Sequence, residues 1–123
     1  MDIAIKRRAF AFALEAARRT YPREFIGLLR KNRQGIVSEV LIIPLSTFGH
    51  DFSSIDLTMV PALSRACGSV HSHPKGPARP SPADLAFFSR TGDVHIILGY
   101  PFVEKNARAY DSTGRPLSLR TVP

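Results

Sequence analysis

Residues 68–84 read GSVHSHPKGPARPSPAD, and three kinds of local structure follow one another within them. Gly68 to His73 is a short run that predicts a strand. Pro74 disfavours the helical region for the residue before it, which holds His73 extended. Pro74 to Pro82 carries four prolines and one glycine and predicts a loop. Ser81-Pro-Ala-Asp84 then has the marks of a helix start: a capping serine, proline at the first helical position and an acid two residues later. Gly92 marks the end of that helix, which is expected to run to about Arg90.

Working outward, Val94 to Gly99 is almost wholly apolar, as a buried central strand is. Phe102 to Tyr110 and Leu117 to Val122 predict a final hairpin turning at Ser112-Thr113-Gly114. On the other side, residues 3–20 predict an amphipathic helix. Ile3, Phe10, Ala13, Leu14 and Ala17 share one face, and Pro22 ends it. Glu24 to Arg30 and Ile36 to Ile43 predict two strands of a hairpin across the polar turn Lys31 to Gly35, with Pro44 stopping the pairing. Residues 46–54 read as a loop, followed by a short helix capped by Asp56 or Thr58 and running to about Arg65. No repeat, linker or low-complexity tract divides the chain, so one domain over residues 1–123 is expected. The order of elements points to an α+β or α/β fold with a mostly antiparallel sheet.

On a strand, residues two apart point to the same side, so His71 and His73 present both imidazoles to one point. The proline-rich loop can bring Asp84, in the first helical turn, back beside the strand end. Two imidazoles and one carboxylate with an open fourth position form a catalytic zinc arrangement. A His-x-His pair alone is a weak sign, since two ordinary strand residues give the same pattern. Ser81 and Asp84 also satisfy the simpler reading of a helix cap.

Composition narrows the classes. Apolar residues make up 44% and charged residues 22%, ordinary for a globular domain of 123 residues. No apolar run approaches the roughly 18 residues of a membrane span. Lys and Arg interrupt the N-terminal apolar positions, so no signal peptide is expected and a cytoplasmic location is. The net charge of +7 comes from scattered arginines, without the dense tract or interleaved aromatics of a nucleic-acid binder. Cys67 is the single cysteine, so no intramolecular disulfide forms, and a small core residue is expected there. His95, inside the apolar run, reads as a hydrogen-bonded core histidine. His50 and Asp51 read as loop surface. Lys75, Gly76 and Arg79 surround the candidate site, as substrate contacts or as solvated groups.

The joint pattern His71-Ser-His73, seven residues, Ser81, two residues, Asp84 resembles the signature of the JAMM (MPN+) metalloprotease family. That family also carries an upstream segment of the type Pro-x-Glu-x-x-Gly-Leu-Leu, and this chain has Pro22-Arg-Glu24-Phe-Ile-Gly27-Leu28-Leu29 after its first predicted helix. Val94 to Gly99 followed by Tyr100-Pro101 is similar too. The likeness spans nearly the whole chain and is to compact prokaryotic, archaeal-type members. It implies a curved, mostly antiparallel sheet flanked by helices, in a JAMM and cytidine-deaminase-like arrangement. It implies one zinc ion on His71, His73 and Asp84, Glu24 as general base toward a zinc-bound water, and Ser81 as oxyanion donor.

What the resemblance implies for activity is a deubiquitinase-like isopeptidase or peptidase acting after the C-terminal tail of a ubiquitin-like or sulfur-carrier protein. Other peptide substrates remain open. So does a non-catalytic module associated with nucleic acid, although the complete ligand set weighs against it. No membrane partner is expected, and a homodimer is left open.

Overall fold

The computed structural model describes residues 2–43 and 65–123. The expected loop at 46–54, the short helix before Arg65, Pro44, His50 and Asp51 lie outside the described residues.

The sheet contains β1 (Asp2–Lys6), β2 (Ile26–Lys31), β3 (Val37–Ile42), β4 (Gly68–His73), β5 (Val94–Gly99), β6 (Ala107–Tyr110) and β7 (Pro116–Val122). Among the described residues two helices accompany it, α1 (Arg7–Thr20) and α2 (Pro82–Phe88), with a 3-10 turn at Glu104–Asn106. The strands lie in the order β3-β2-β4-β5-β6-β7-β1. The sheet curves so far that its two ends meet, through Ile5 opposite Val37. The β2–β3, β2–β4, β5–β6 and β6–β7 pairings are antiparallel, while β4–β5 and both contacts of β1 are parallel.

The alternation of side chains sorts the core into two layers. Phe25, Leu29, Val70, Ile96 and Leu98 pack with Phe10, Ala13, Leu14 and Ala17 of α1. Ile26, Leu28, Ile97 and Tyr110 pack with Phe87 and Phe88 of α2. Burying either phenylalanine of α2 contributes about 1.5–3 kcal/mol, which seats a helix of only two turns. β5 is buried at every position because helices cover both its faces. Gly68 lets β4 approach β5: a Cβ there would lie 1.5 Å from the Val94 carbonyl oxygen.

Three expectations need correction. Residues 2–6 form a strand, with α1 starting only at Arg7. Ile3 and Ile5 fit a period of two as well as the helical one, and the pairing of Asp2–Lys6 with Ser118–Val122 decides between them. The second helix stops at Phe88, with Ser89 as its cap, instead of reaching Arg90. The stretch from Phe102 is not strand until Ala107, because Phe102 has a positive φ of 66° and the 3-10 turn intervenes.

Candidate metal centre

β4 delivers the two histidines, and α2 delivers the acid. His71 sits opposite Ile26 of β2 and beside Ile97 of β5, buried in the middle of the sheet. His73, two residues on, emerges at the strand end and is partly buried. Ser81 and Asp84 form a reciprocal cap: the Asp84 N–H donates to Ser81 Oγ at 3.1 Å, and the Ser81 N–H donates to Asp84 Oδ2 at 2.8 Å. The cap fixes Asp84 with its carboxylate directed back at β4. The helical-cap reading and the ligand reading therefore describe the same arrangement.

The three side chains converge. His71 Nε2 lies 3.1 Å from His73 Nε2 and 3.2 Å from Asp84 Oδ1, and His73 Nε2 lies 3.1 Å from Asp84 Oδ2. Tetrahedral zinc with bonds of roughly 2.0–2.1 Å sets neighbouring donors about 3.3 Å apart. The observed separations are those of a ligand set around one small cation. Asp84 is 1% exposed, and a buried carboxylate facing two ring nitrogens calls for a positive charge between them. The residues present therefore fit a metal ion.

Tautomer is set from outside the cluster. His73 Nδ1 lies 3.0 Å from the Pro77 carbonyl oxygen, which can only accept, so Nδ1 carries the proton and the neutral ring turns a lone pair at Nε2 inward. Burial lowers the His73 pKa, but hydrogen bonds to Asp84 and Pro77 outweigh it and the net shift is upward. Burial likewise raises the Asp84 carboxyl, and the bonds from His71 and His73 overcome it, holding the group well below the usual carboxylate range. His73 thus holds its proton more tightly than a free imidazole, while Asp84 stays ionised more readily than a free carboxyl.

Glu24 is not one of the clustered ligands but stands beside them. Phe25 O accepts from Ser72 N–H at 2.9 Å, and Phe25 N–H donates to Ser72 Oγ at 2.8 Å, where a regular ladder would use the Ser72 carbonyl. Carried one step further, the register that pairs Ile26 with His71 sets Glu24 opposite His73, on the face of both imidazoles. The charge on Glu24 reaches His73 and helps raise it. A cleft of about 410 Å³ is lined by Pro22, Glu24, His73, Pro74, Lys75, Ser81 and Asp84. The Ser81 oxygen accepts the Asp84 N–H, which leaves its own hydroxyl proton to point elsewhere.

Residues 6–113 match the profile of the prokaryotic homologs of the JAB domain. The chain belongs to this family. A probable metalloprotease of Haloferax volcanii is 40% identical over 126 residues, covering 95% of this chain and 78% of that protein. A solved structure described as a JAMM metalloprotease-like zinc site in the proteasome and signalosome superposes with a TM-score of 0.77 at 31% identity, covering all of both chains. A JAB1/MPN domain protein of Archaeoglobus fulgidus gives a TM-score of 0.75 at 30% identity, over 98% of this chain and 97% of that one.

Other expected positions resolve as follows. His95 is fully buried, with Nε2 2.9 Å from the Gly92 carbonyl, Nδ1 2.7 Å from Ser69 Oγ and its ring stacked on Phe88 at 4.1 Å. Burial first, and the charge on His71 as well, pull its pKa down to about 4 although the Gly92 bond opposes them. Cys67 is half-buried against the core, and burial pushes its thiol up. Lys75 lines the cleft, whereas Gly76 and Arg79 line a separate groove. Sequence reasoning gave no role to Ser72 or to the Pro77 carbonyl. The signal for Ser72 is a hydroxyl at a strand position that alternation sends into the α1 core, where an apolar residue would be the default.

Proposed function

We propose that the chain is a zinc-dependent hydrolase that cleaves the amide bond following the C-terminal tail of a ubiquitin-like or sulfur-carrier protein. The observation that carries this reading is the convergence of His71, His73 and Asp84 at tetrahedral-edge spacing, at a cleft lined by His73 and Asp84 together with Glu24 and Ser81. Membership of the JAB-domain family supports it.

In this reading His71, His73 and Asp84 would hold one zinc ion, which would supply Lewis acidity toward water and the substrate carbonyl. Glu24, held by the Phe25–Ser72 clamp, accepts the proton of the attacking water and returns it to the leaving amine. The Ser81 hydroxyl donates to the developing oxyanion, and one such donor is typically worth about 3 kcal/mol. An extended tail suits a cleft beside a sheet, where backbone hydrogen bonds hold it without regard to side-chain identity.

The test is cleavage of an isopeptide-linked ubiquitin-like conjugate, and of a sulfur-carrier fusion, by the zinc-loaded protein. Release of the intact tail is expected, with Glu24→Gln retaining zinc and losing turnover. Full turnover by Glu24→Gln would remove Glu24 from the role of base. Inertness toward both substrates would remove the substrate assignment.

A further inference from the structure

The loop between β4 and α2 has two sides. Pro74 and Lys75 face the metal cleft, while Gly76, Pro77, Ala78 and Arg79 wall a second groove of about 510 Å³. The rest of that groove comes from Gly99, Tyr100, Asn106, Arg108, Ala109, Tyr110 and the start of β7. Among the described residues no aspartate or glutamate lines it, and two arginines do.

Among the described residues neither Arg79 nor Arg108 takes part in an ion pair. Arg108 is also pre-oriented: its Nη1 donates to the carbonyls of Lys105 and Ala107, both at 2.8 Å, which leaves Nε and Nη2 without a protein acceptor among the described residues. Both cations line the same groove as Tyr110, whose phenol burial pushes up while the charges of Arg108 and Arg79 oppose the rise. The Tyr110 hydroxyl in turn donates to the Ala78 carbonyl, tying the groove wall to its floor. At the groove's edge the Tyr100 ring is half-exposed and packs against Tyr21 at 5.1 Å, beside Pro22 of the cleft. One held cation, Arg108, and a second, Arg79, in a concave site with no carboxylate among its described lining residues complement an acidic side chain.

The geometry points to a substrate subsite: the groove behind the 76–79 strap binds an acidic stretch of polypeptide flanking the scissile amide, through Arg79 and Arg108. Its place in the reaction rests on the reading of the neighbouring cleft as an amide-hydrolysing centre. The binding itself does not. Two cations and one ring at its edge suit a short acidic peptide better than a nucleic-acid strand, which needs a longer ladder of phosphate contacts.

The experiment is fluorescence anisotropy of the full zinc-loaded chain with two labelled peptides, Gly-Gly-Lys-Glu-Glu-Glu and Gly-Gly-Lys-Gln-Gln-Gln, at fixed ionic strength. The acidic peptide should bind at least tenfold tighter. Arg79→Gln and Arg108→Gln should each cut that preference threefold or more, and the double variant should abolish it, while Arg8→Gln on the exposed face of α1 leaves it intact. Equal binding of the two peptides overturns the proposal, as does an equal loss in Arg8→Gln, which would mark a net-charge effect. Tighter arginine-dependent binding of a single-stranded 12-mer DNA also overturns it. If acidic-peptide binding holds but no amide substrate is cleaved, the groove stands and the hydrolase reading fails.

Discussion

Ser72→Ala tests whether the Phe25–Ser72 clamp acts on turnover separately from metal binding. Ser72 is fully buried, and its Oγ accepts the Phe25 N–H at 2.8 Å. Alanine removes the acceptor and strands that N–H in the α1 core layer, where no water reaches it. A buried donor left unsatisfied costs about 1–3 kcal/mol. For a domain of this size each kcal/mol moves the thermal midpoint by about 4 °C, so a fall of roughly 4–12 °C is expected. The second effect is local. The clamp holds the residue that precedes β2, and Glu24 stands next to it. A displacement on the order of 1 Å at a catalytic group can cost about a hundredfold in rate. Turnover of an isopeptide substrate should therefore fall at least tenfold, while zinc affinity, which the proposal assigns to His71, His73 and Asp84, stays within about threefold. The assay pairs calorimetric melting with steady-state kinetics and chelator competition on the same preparations. An unchanged melting midpoint with unchanged turnover would refute the clamp. A loss of zinc equal to the loss of turnover would show that Ser72 acts through the ligands instead of through Glu24.

Two further outcomes follow from the same packing. Gly68→Ala places a Cβ 1.5 Å from the Val94 carbonyl oxygen, so β4 and β5 cannot keep their parallel register, and insoluble or unfolded protein is expected by expression and circular dichroism; a folded variant of wild-type stability would contradict the close approach. His95 has an ordinary pKa of 6.5 and a folded value of about 4, so the unfolded chain binds a proton the native chain excludes, and stability is lost as pH falls from 6.5 toward 4. That limb is worth about 3 kcal/mol in urea titrations and should flatten in His95→Gln; an unaltered limb would assign it to other groups.

The strand, loop and helix around the candidate site were legible because their signals are local. Pro74 extends His73, Ser81 and Pro82 open a helix, and the apolar run Val94–Gly99 has no other place than between two layers. β1 was not legible in the same way. Its partner lies at the opposite end of the chain, and Ile3 and Ile5 suit either period until that partner is known. The position of Glu24 was implied by resemblance, but its physical cause, a register fixed by a serine hydroxyl on the opposite face of β4, depends on a contact between distant segments. The Pro77 carbonyl that sets the His73 tautomer is a backbone group and leaves no mark in side-chain pattern. The groove behind the strap gathers Arg79 and Arg108 from separate elements, and only the folded chain brings them together.

The central claim is that His71, His73 and Asp84 share one cation, and zinc-edge X-ray absorption on the zinc-reconstituted protein tests it most directly. One zinc per chain is expected, in a four-coordinate nitrogen and oxygen shell with two imidazoles, and Asp84→Ala should abolish stoichiometric binding. A sulfur-containing shell, more than two imidazoles, or zinc retained undiminished by Asp84→Ala would contradict the account.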